Sequence, residues 1–545
     1  MSLLPLAIVS AVVACLGWPV IKHHVISSPL DVLNGPKPSS FFLGTFYTLA
    51  MIEMGLPDTT TGNRQGWRNF AQSADAFGRA WLARGFFYAP VLVIHDPKAL
   101  HTAMVKDEHI WQKGLAPSDN LTLLLGPGVL STRAGQHKRQ RKLLNPVFSV
   151  AHLRDMTHIF YNVAHRVHAA LAKRIPSTEI AQEVDINGWM GHITLEMLGQ
   201  AGLGYSFDDF TDDKTDTYGE SIKLFFPKLS ATRFYNLFTA RLSWYLPDPV
   251  IRQIGRSAPT KGIRDVMKIS DTMMQRSKEI VAEKKAKLEK GDAALKHEVG
   301  EGKDIMSICL RANMAAADNE KMTDEEILAQ MSTFILAGMD TTSNALSRIL
   351  WLLSGRQDVQ AKLRAEIVEA QGGLPYLDAV CRETLRVYAP VTLAPRVATQ
   401  DTVIPFSAPV RTRDGREITE IAAPRGTIAL MHYQASNTDA ALWGPDAREW
   451  KPERWLAPLP AGLEDARIPG VYAHLMTFAA GTRSCIGFKF SQLEMKIVLS
   501  VLLPAFSFEL TDKPVAWNSS AVIYPTMGEE SSKPELLLMV KALKA

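Results

Sequence analysis

The chain has 545 residues, 46% of them hydrophobic, enough to bury a large core. Sixty basic and 56 acidic residues leave a net charge of +4, too weak and too dispersed to suit a nucleic-acid binder. The four cysteines (Cys15, Cys309, Cys381, Cys485) are widely spaced and read as unpaired thiols of a reducing compartment. No linker of the Gly/Ser or Pro-rich sort and no internal repeat divides the chain.

Leu3 to Ile21 carry no charge and are mostly Leu, Ile, Val and Ala. Nineteen residues of helix span about 28 Å, close to the hydrocarbon thickness of a bilayer. Lys22, His23 and His24 follow and no basic residue precedes, so the positive-inside rule leaves the body in the cytosol. Residues 1–22 therefore read as a transmembrane signal-anchor; a cleaved signal peptide is the competing reading, against which stands the absent basic n-region. Residues 23–45 form a hinge in which Gly35-Pro-Lys-Pro38 makes a stiff, non-helical turn, and residues 46–545 form the body.

From Asn63 to Thr102 amphipathic helix alternates with two strand-like runs, Phe86–Ala89 and Val91–His95. Gly126-Pro-Gly-Val-Leu130 marks a loop, and Ala134–Leu144 reads as a basic helix. His137 and Arg141, four residues apart, share one of its faces, and both can donate to a carboxylate. Taken alone, its lysines and arginines are an ordinary solvated face. The sequons Asn120-Leu-Thr122 and Asn518-Ser-Ser520 lie on a cytosolic body and read as chance. Residues 155–300 are mostly helical by period, broken near Pro247-Asp-Pro249 and Pro259. Core packing is one of two equal readings of the aromatic stretch Phe234–Leu246.

Thr323-Asp-Glu-Glu326 is a capping box, and Ile327, Leu328, Met331, Phe334, Ile335 and Met339 continue an apolar face behind it. With Gly355 as its stop, this helix runs about 30 residues, roughly 45 Å, and should cross the interior. Within it lies Ala337-Gly-Met-Asp-Thr-Thr342. Gly338 costs up to about 1 kcal/mol in mid-helix and opens room at the backbone, and Thr341 can bond back to the Ala337 carbonyl. A kink needed for packing is one reading; a groove in which Asp340 and Thr341 pass protons is the other. A later helix, opened by Leu374-Pro375, carries Glu383 and Arg386 on one face, and Pro390–Arg396 follows in extended form.

Phe478-Ala-Ala-Gly-Thr-Arg-Ser-Cys-Ile-Gly487 precedes an amphipathic helix over Phe488–Leu503. Cys485 sits just before the helix start, where the dipole and Arg483 bias a thiol towards thiolate. Gly481 and Gly487 permit positive φ or close backbone approach. Zinc would need further Cys or His ligands, and none lies near in sequence. A single thiolate on such a loop fits an axial ligand of haem iron; a buried free cysteine at a helix cap is the alternative.

Read as Phe-x-x-Gly-x-Arg-x-Cys-x-Gly, the decamer resembles the haem-binding loop of the cytochrome P-450 superfamily, and the chain is most similar to microsomal fungal members. The resemblance implies a mainly α fold with small β-sheets (α+β), a single large haem domain behind the anchor, and haem b bound through Cys485. Phe478, Gly481 and Arg483 belong to the same loop. The hexapeptide resembles the family's oxygen-activating motif, which makes Thr341 and Asp340 the catalytic hydroxyl and acid. Arg141 and Arg396 stand where the family binds the haem propionates; His137 stands where it often has Trp. The other reading of Phe234–Leu246 is the one that the resemblance implies, the roof of a substrate cavity dipping towards the membrane. Glu383 and Arg386 match its Glu-x-x-Arg, with Arg454 of Pro452-Glu-Arg-Trp455 as third partner, a network assigned to folding and haem retention.

The activity so implied is a monooxygenase that hydroxylates a hydrophobic small molecule with O2. Electrons come from an NADPH-dependent flavoprotein reductase docked on a basic face of Lys138, Arg139, Lys142, Lys489 and Lys496. A terpenoid of secondary metabolism is the favoured substrate class, and the endoplasmic reticulum membrane the location. A reductase-independent isomerase or dehydratase, and a non-enzymatic membrane haem binder, are the rival readings; the first usually lacks the equivalent of Thr341.

Overall fold

Helices carry most of the chain and the strands gather into small sheets, so the architecture is mainly α with small β-sheets (α+β). The structure is a computed structural model and describes residues 27–38, 44–45, 67–85, 88–114, 119–175, 180–210, 217–232, 239, 241–289 and 302–543. The signal-anchor over residues 1–22 lies outside the described residues, as does much of the Phe234–Leu246 stretch. Among the described residues no helix is long and apolar enough to cross a membrane. The chain divides into two compact units.

The first unit takes the chain up to Leu115, Thr392–Ala447 and Pro460–Ser484. Its five-stranded sheet has the spatial order Ala80–Arg84, Pro90–Ile94, Ile428–His432, Leu393–Ala398, Trp111–Gln112. Pro90–Ile94 and Ile428–His432 run parallel and the other neighbours antiparallel. Trp81, Ala83, Val91 and Val93 form its apolar core, with Phe70, Phe77 and Leu430 packed on them. The strand paired antiparallel with Pro90–Ile94 is Ala80–Arg84; of the strand-like run Phe86–Ala89, Phe86 and Phe87 lie outside the described residues, and Tyr88 and Ala89 are in no strand. Tyr88 has a φ of 65°, a left-handed turn that a strand does not continue. Part of the hinge segment is packed here: Leu30 and Leu33 are fully buried, and the Leu82 N–H donates to the Asn34 carbonyl at 2.8 Å.

The second unit comprises Ala116–Val391, Arg448–Leu459 and Cys485–Ala545. Its axis is the helix Asp324–Gly355, 32 residues, about 48 Å long. Both bonds of its capping box form: Glu326 N–H donates to Thr323 Oγ1 at 3.2 Å and Thr323 N–H to Glu326 Oε2 at 2.8 Å. The helices Ile186–Met197, Lys261–Glu289 and Phe488–Ala505 pack on it, which explains why it is apolar on most sides. The basic helix spans Ala134–Leu144, and the helix bearing Glu383 and Arg386 spans Pro375–Val387.

Candidate functional site

In the first unit the candidate loop begins on the strand Leu475–Ala480, paired with Gly470–Tyr472, and turns through Gly481–Arg483. The Phe478 ring meets Tyr472 edge-on at 5.7 Å. Gly481 has a φ of 65°, and a Cβ there would lie 2.1 Å from the Met104 carbonyl oxygen, so no other residue fits. Arg483 is half-buried. Arg396 is buried on its strand and donates through Nη1 to the Pro395 carbonyl at 2.8 Å. The chain leaves this unit after Ser484.

Cys485 opens the second unit's share of the loop, ahead of the helix Phe488–Ala505. It is exposed, whereas Cys309 and Cys381 are buried. Even so, enough protein surrounds the sulfur that burial pushes the thiol up, against the pull of the Gly487 N–H and the Arg141 guanidinium. The thiolate bias expected from the helix start and Arg483 is therefore outweighed by desolvation, and a metal cation is what would deprotonate this thiol. Arg141 and His137 lie one turn apart on Ala134–Leu144, His137 buried and Arg141 half-buried.

Along its middle stretch the long helix carries one half-buried patch. Between Met331 and Leu350 every residue is buried except Ala337, Gly338 and Thr341, which share one side of the helix. Thr341 Oγ1 donates to the Ala337 carbonyl at 2.8 Å, so the hydroxyl is already turned along that side. Gly338 serves close packing: a Cβ there would come 3.0 Å from Leu198 Cδ2. Asp340 points the other way and is buried. Its Oδ1 accepts from Asn344 Nδ2 at 3.0 Å, and desolvation lifts it to about 7 against the pull of Lys223 and that hydrogen bond.

Sequence reasoning missed Glu494. It is buried nine residues after Cys485, hydrogen-bonded to Thr342, and pushed well above the carboxylate range by desolvation. That bond ties the helix that starts beside Cys485 to the turn carrying Thr341. A carboxyl one turn from Phe490, on the buried side of an apolar helix, was the available signal.

Behind the site, Glu383 accepts from Arg386 Nε and Nη2, both at 2.8 Å, from Trp455 Nε1 at 2.9 Å, from the Lys451 N–H at 3.0 Å and from Arg454 Nε at 3.4 Å. Of the basic face, Arg139 pairs with Glu326, Lys142 with Glu320 and Lys496 with Asp378, so three of its five cations already have acidic partners. A cavity of about 450 Å3, walled by Leu123, Leu229, Ile251, Ile263, Val266 and Met267, is almost wholly apolar; neither Cys485 nor Thr341 lines it.

Among the described residues no group of three or more His, Cys, Asp or Glu could hold a metal ion. A lone accessible sulfur with no clustered second donor fits iron that brings its own in-plane ligands, which is the chemistry of haem. The sequence profile described as Cytochrome P450 matches residues 56–526. The chain is similar to a ganoderic acid synthetase of Ganoderma lucidum, with 52% identity over 99% of each chain. It is also similar to cytochrome P450 monooxygenase 91 of Postia placenta, 45% identical over 96% of each. A cytochrome P450 monooxygenase of Hericium erinaceus is 31% identical over 96% of each.

Proposed function

The chain belongs to the cytochrome P450 family, an oxidoreductase of monooxygenase type that binds haem b through a cysteine thiolate, and we propose that it hydroxylates an apolar secondary metabolite, a terpenoid by preference. In this reading Cys485 is the thiolate ligand, and Arg141, Arg396 and His137 hold the propionates. Haem iron so ligated supplies the activation of O2 from which one oxygen atom enters the substrate.

The chain's own residues have separate tasks. Gly481 lets the loop backbone lie against Met104 and so fixes where the turn before Cys485 runs. Thr341 presents its hydroxyl on the accessible side of the long helix. Asp340, one residue away, holds a proton near neutral pH, the condition for an acid that must both give and regain it. A relative named for ganoderic acid supports secondary metabolism. Residues 1–22 would hold the protein to the endoplasmic reticulum membrane, catalytic body in the cytosol, where an NADPH-dependent flavoprotein reductase supplies electrons.

The observation that carries this reading is that Thr341, half-buried on a largely buried stretch of helix, stands next to the buried Asp340, which is raised to about 7. The test is turnover of candidate terpenoids under 18O2 with a fungal reductase and NADPH. Product carrying one labelled oxygen supports hydroxylation. Product that forms without reductase and carries no label would make the protein an isomerase or dehydratase.

A further inference from the structure

Asp340 is linked through buried polar side chains to a second charged group. Lys223, buried at the end of the helix Thr217–Lys223, donates through Nζ to Asn187 Oδ1 at 2.8 Å and to the Asn187 carbonyl. Asn187 Nδ2 donates to Asn344 Oδ1 at 3.0 Å and to Ser347 Oγ at 3.2 Å. Asn344 Nδ2 in turn donates to Asp340 Oδ1 at 3.0 Å. Every donor in this series points from the lysine towards the acid, so each bond polarises the next.

The packing keeps room for this lysine. Gly188 and Gly191 sit at i and i+3 on the helix Ile186–Met197. A Cβ on Gly191 would lie 2.1 Å from Lys223 Cε, so the helix is cut away where the stem passes. The amine borders a cavity of about 130 Å3, large enough for a few waters. Besides Lys223, its walls carry Asp185, His192, Glu220 and Lys533, and Met339, the neighbour of Asp340. The carboxylates whose charges act on Lys223 are Asp185, Asp340 and Glu220, each on a different element.

We propose that Lys223 is the positioning counter-charge of Asp340, held to it through Asn187 and Asn344, and that the polar cavity keeps its ammonium solvated. The inference rests on Asp340 being the acid of the proposed reaction. Each cycle takes one proton from the Asp340 carboxyl and returns one to it, so the group alternates between the neutral and the charged form. Lys223 keeps its own proton and offsets the carboxylate's charge in between.

The experiment uses the haem-loaded full chain with a fungal reductase, NADPH and a substrate that the 18O2 assay has identified. Wild type, K223M, K223R and D340N are compared by absorption spectrum, turnover between pH 6 and 9 and solvent deuterium effect. Loss of the ammonium removes a charge that favours the carboxylate. The alkaline limb of the K223M profile therefore moves up by about one pH unit, and K223R restores it. G191A, whose Cβ displaces the lysine stem, moves the limb the same way and serves should K223M fail to retain haem. A wild-type pH profile in K223M or G191A, alongside impaired D340N, overturns the inference alone. Normal turnover by D340N would instead remove the reading of Asp340 on which it rests.

Discussion

Two carboxyl groups buried in the same unit are treated in opposite ways. Glu383 receives hydrogen bonds from Arg386, Arg454, Trp455 and the Lys451 backbone, and Arg386 goes on to the Glu449 carbonyl at 3.1 Å. Asp340 receives one amide bond at its carboxyl and a cation's charge through the protein, and desolvation still holds it at about 7. A saturated carboxyl is fixed in one state and suits a frame. An under-supplied one sits near the pH of its surroundings and suits proton transfer.

The largest effect expected from this contrast is on stability. E383A leaves the fully buried Arg386 without its carboxylate, which costs about 3–5 kcal/mol, read by chemical denaturation together with loss of bound haem. An E383A protein as stable as wild type would break the contrast from the structural side. D340N should do the reverse. Its amide keeps the shape and the haem spectrum, while turnover falls about 10²–10⁴-fold in steady-state kinetics.

The pH dependence follows with a definite sign. Asp340 is raised from 3.8 to about 7, so it must be protonated to donate, and turnover should fall as pH rises through about 7. Its stability contribution is complete below about pH 4 and is lost as pH rises through 7. Thermal melts at successive pH values should therefore show wild type losing ground to D340N over that window. The smallest effect belongs to Glu494. Because burial keeps it in the neutral form, E494Q should shift stability by less than about 1 kcal/mol, and a larger loss would mean that it is ionised.

Much of this was legible in the residues because local rules and tertiary packing agree. The capping box at Thr323 starts the long helix where its side chains dictate, and the basic run forms a helix over the expected Ala134–Leu144. The long helix is 32 residues against about 30 expected, since both capping box and Gly355 are local signals. The strand at Ala80–Arg84 was not legible, because Trp81 and Leu82 alternate no more clearly than the run that follows; its pairing with Pro90–Ile94 is what makes it a strand. Motifs nominated Cys485, Asp340 and Thr341, but what surrounds them is a property of distant segments. Arg141 as the cation whose charge acts on Cys485, Lys223 behind Asp340 and Leu198 against Gly338 come from elements far away in sequence. The helix dipole at Cys485 was visible in sequence, whereas the desolvation that outweighs it was not.

The central claim is that Cys485 gives its thiolate to haem iron in this chain. The most direct test is the reduced, carbon monoxide-bound difference spectrum of membranes carrying wild type or C485A at equal protein levels. The account predicts the long-wavelength Soret band of thiolate ligation in wild type and its absence in C485A. The same band in C485A, or none from folded wild type, would contradict it.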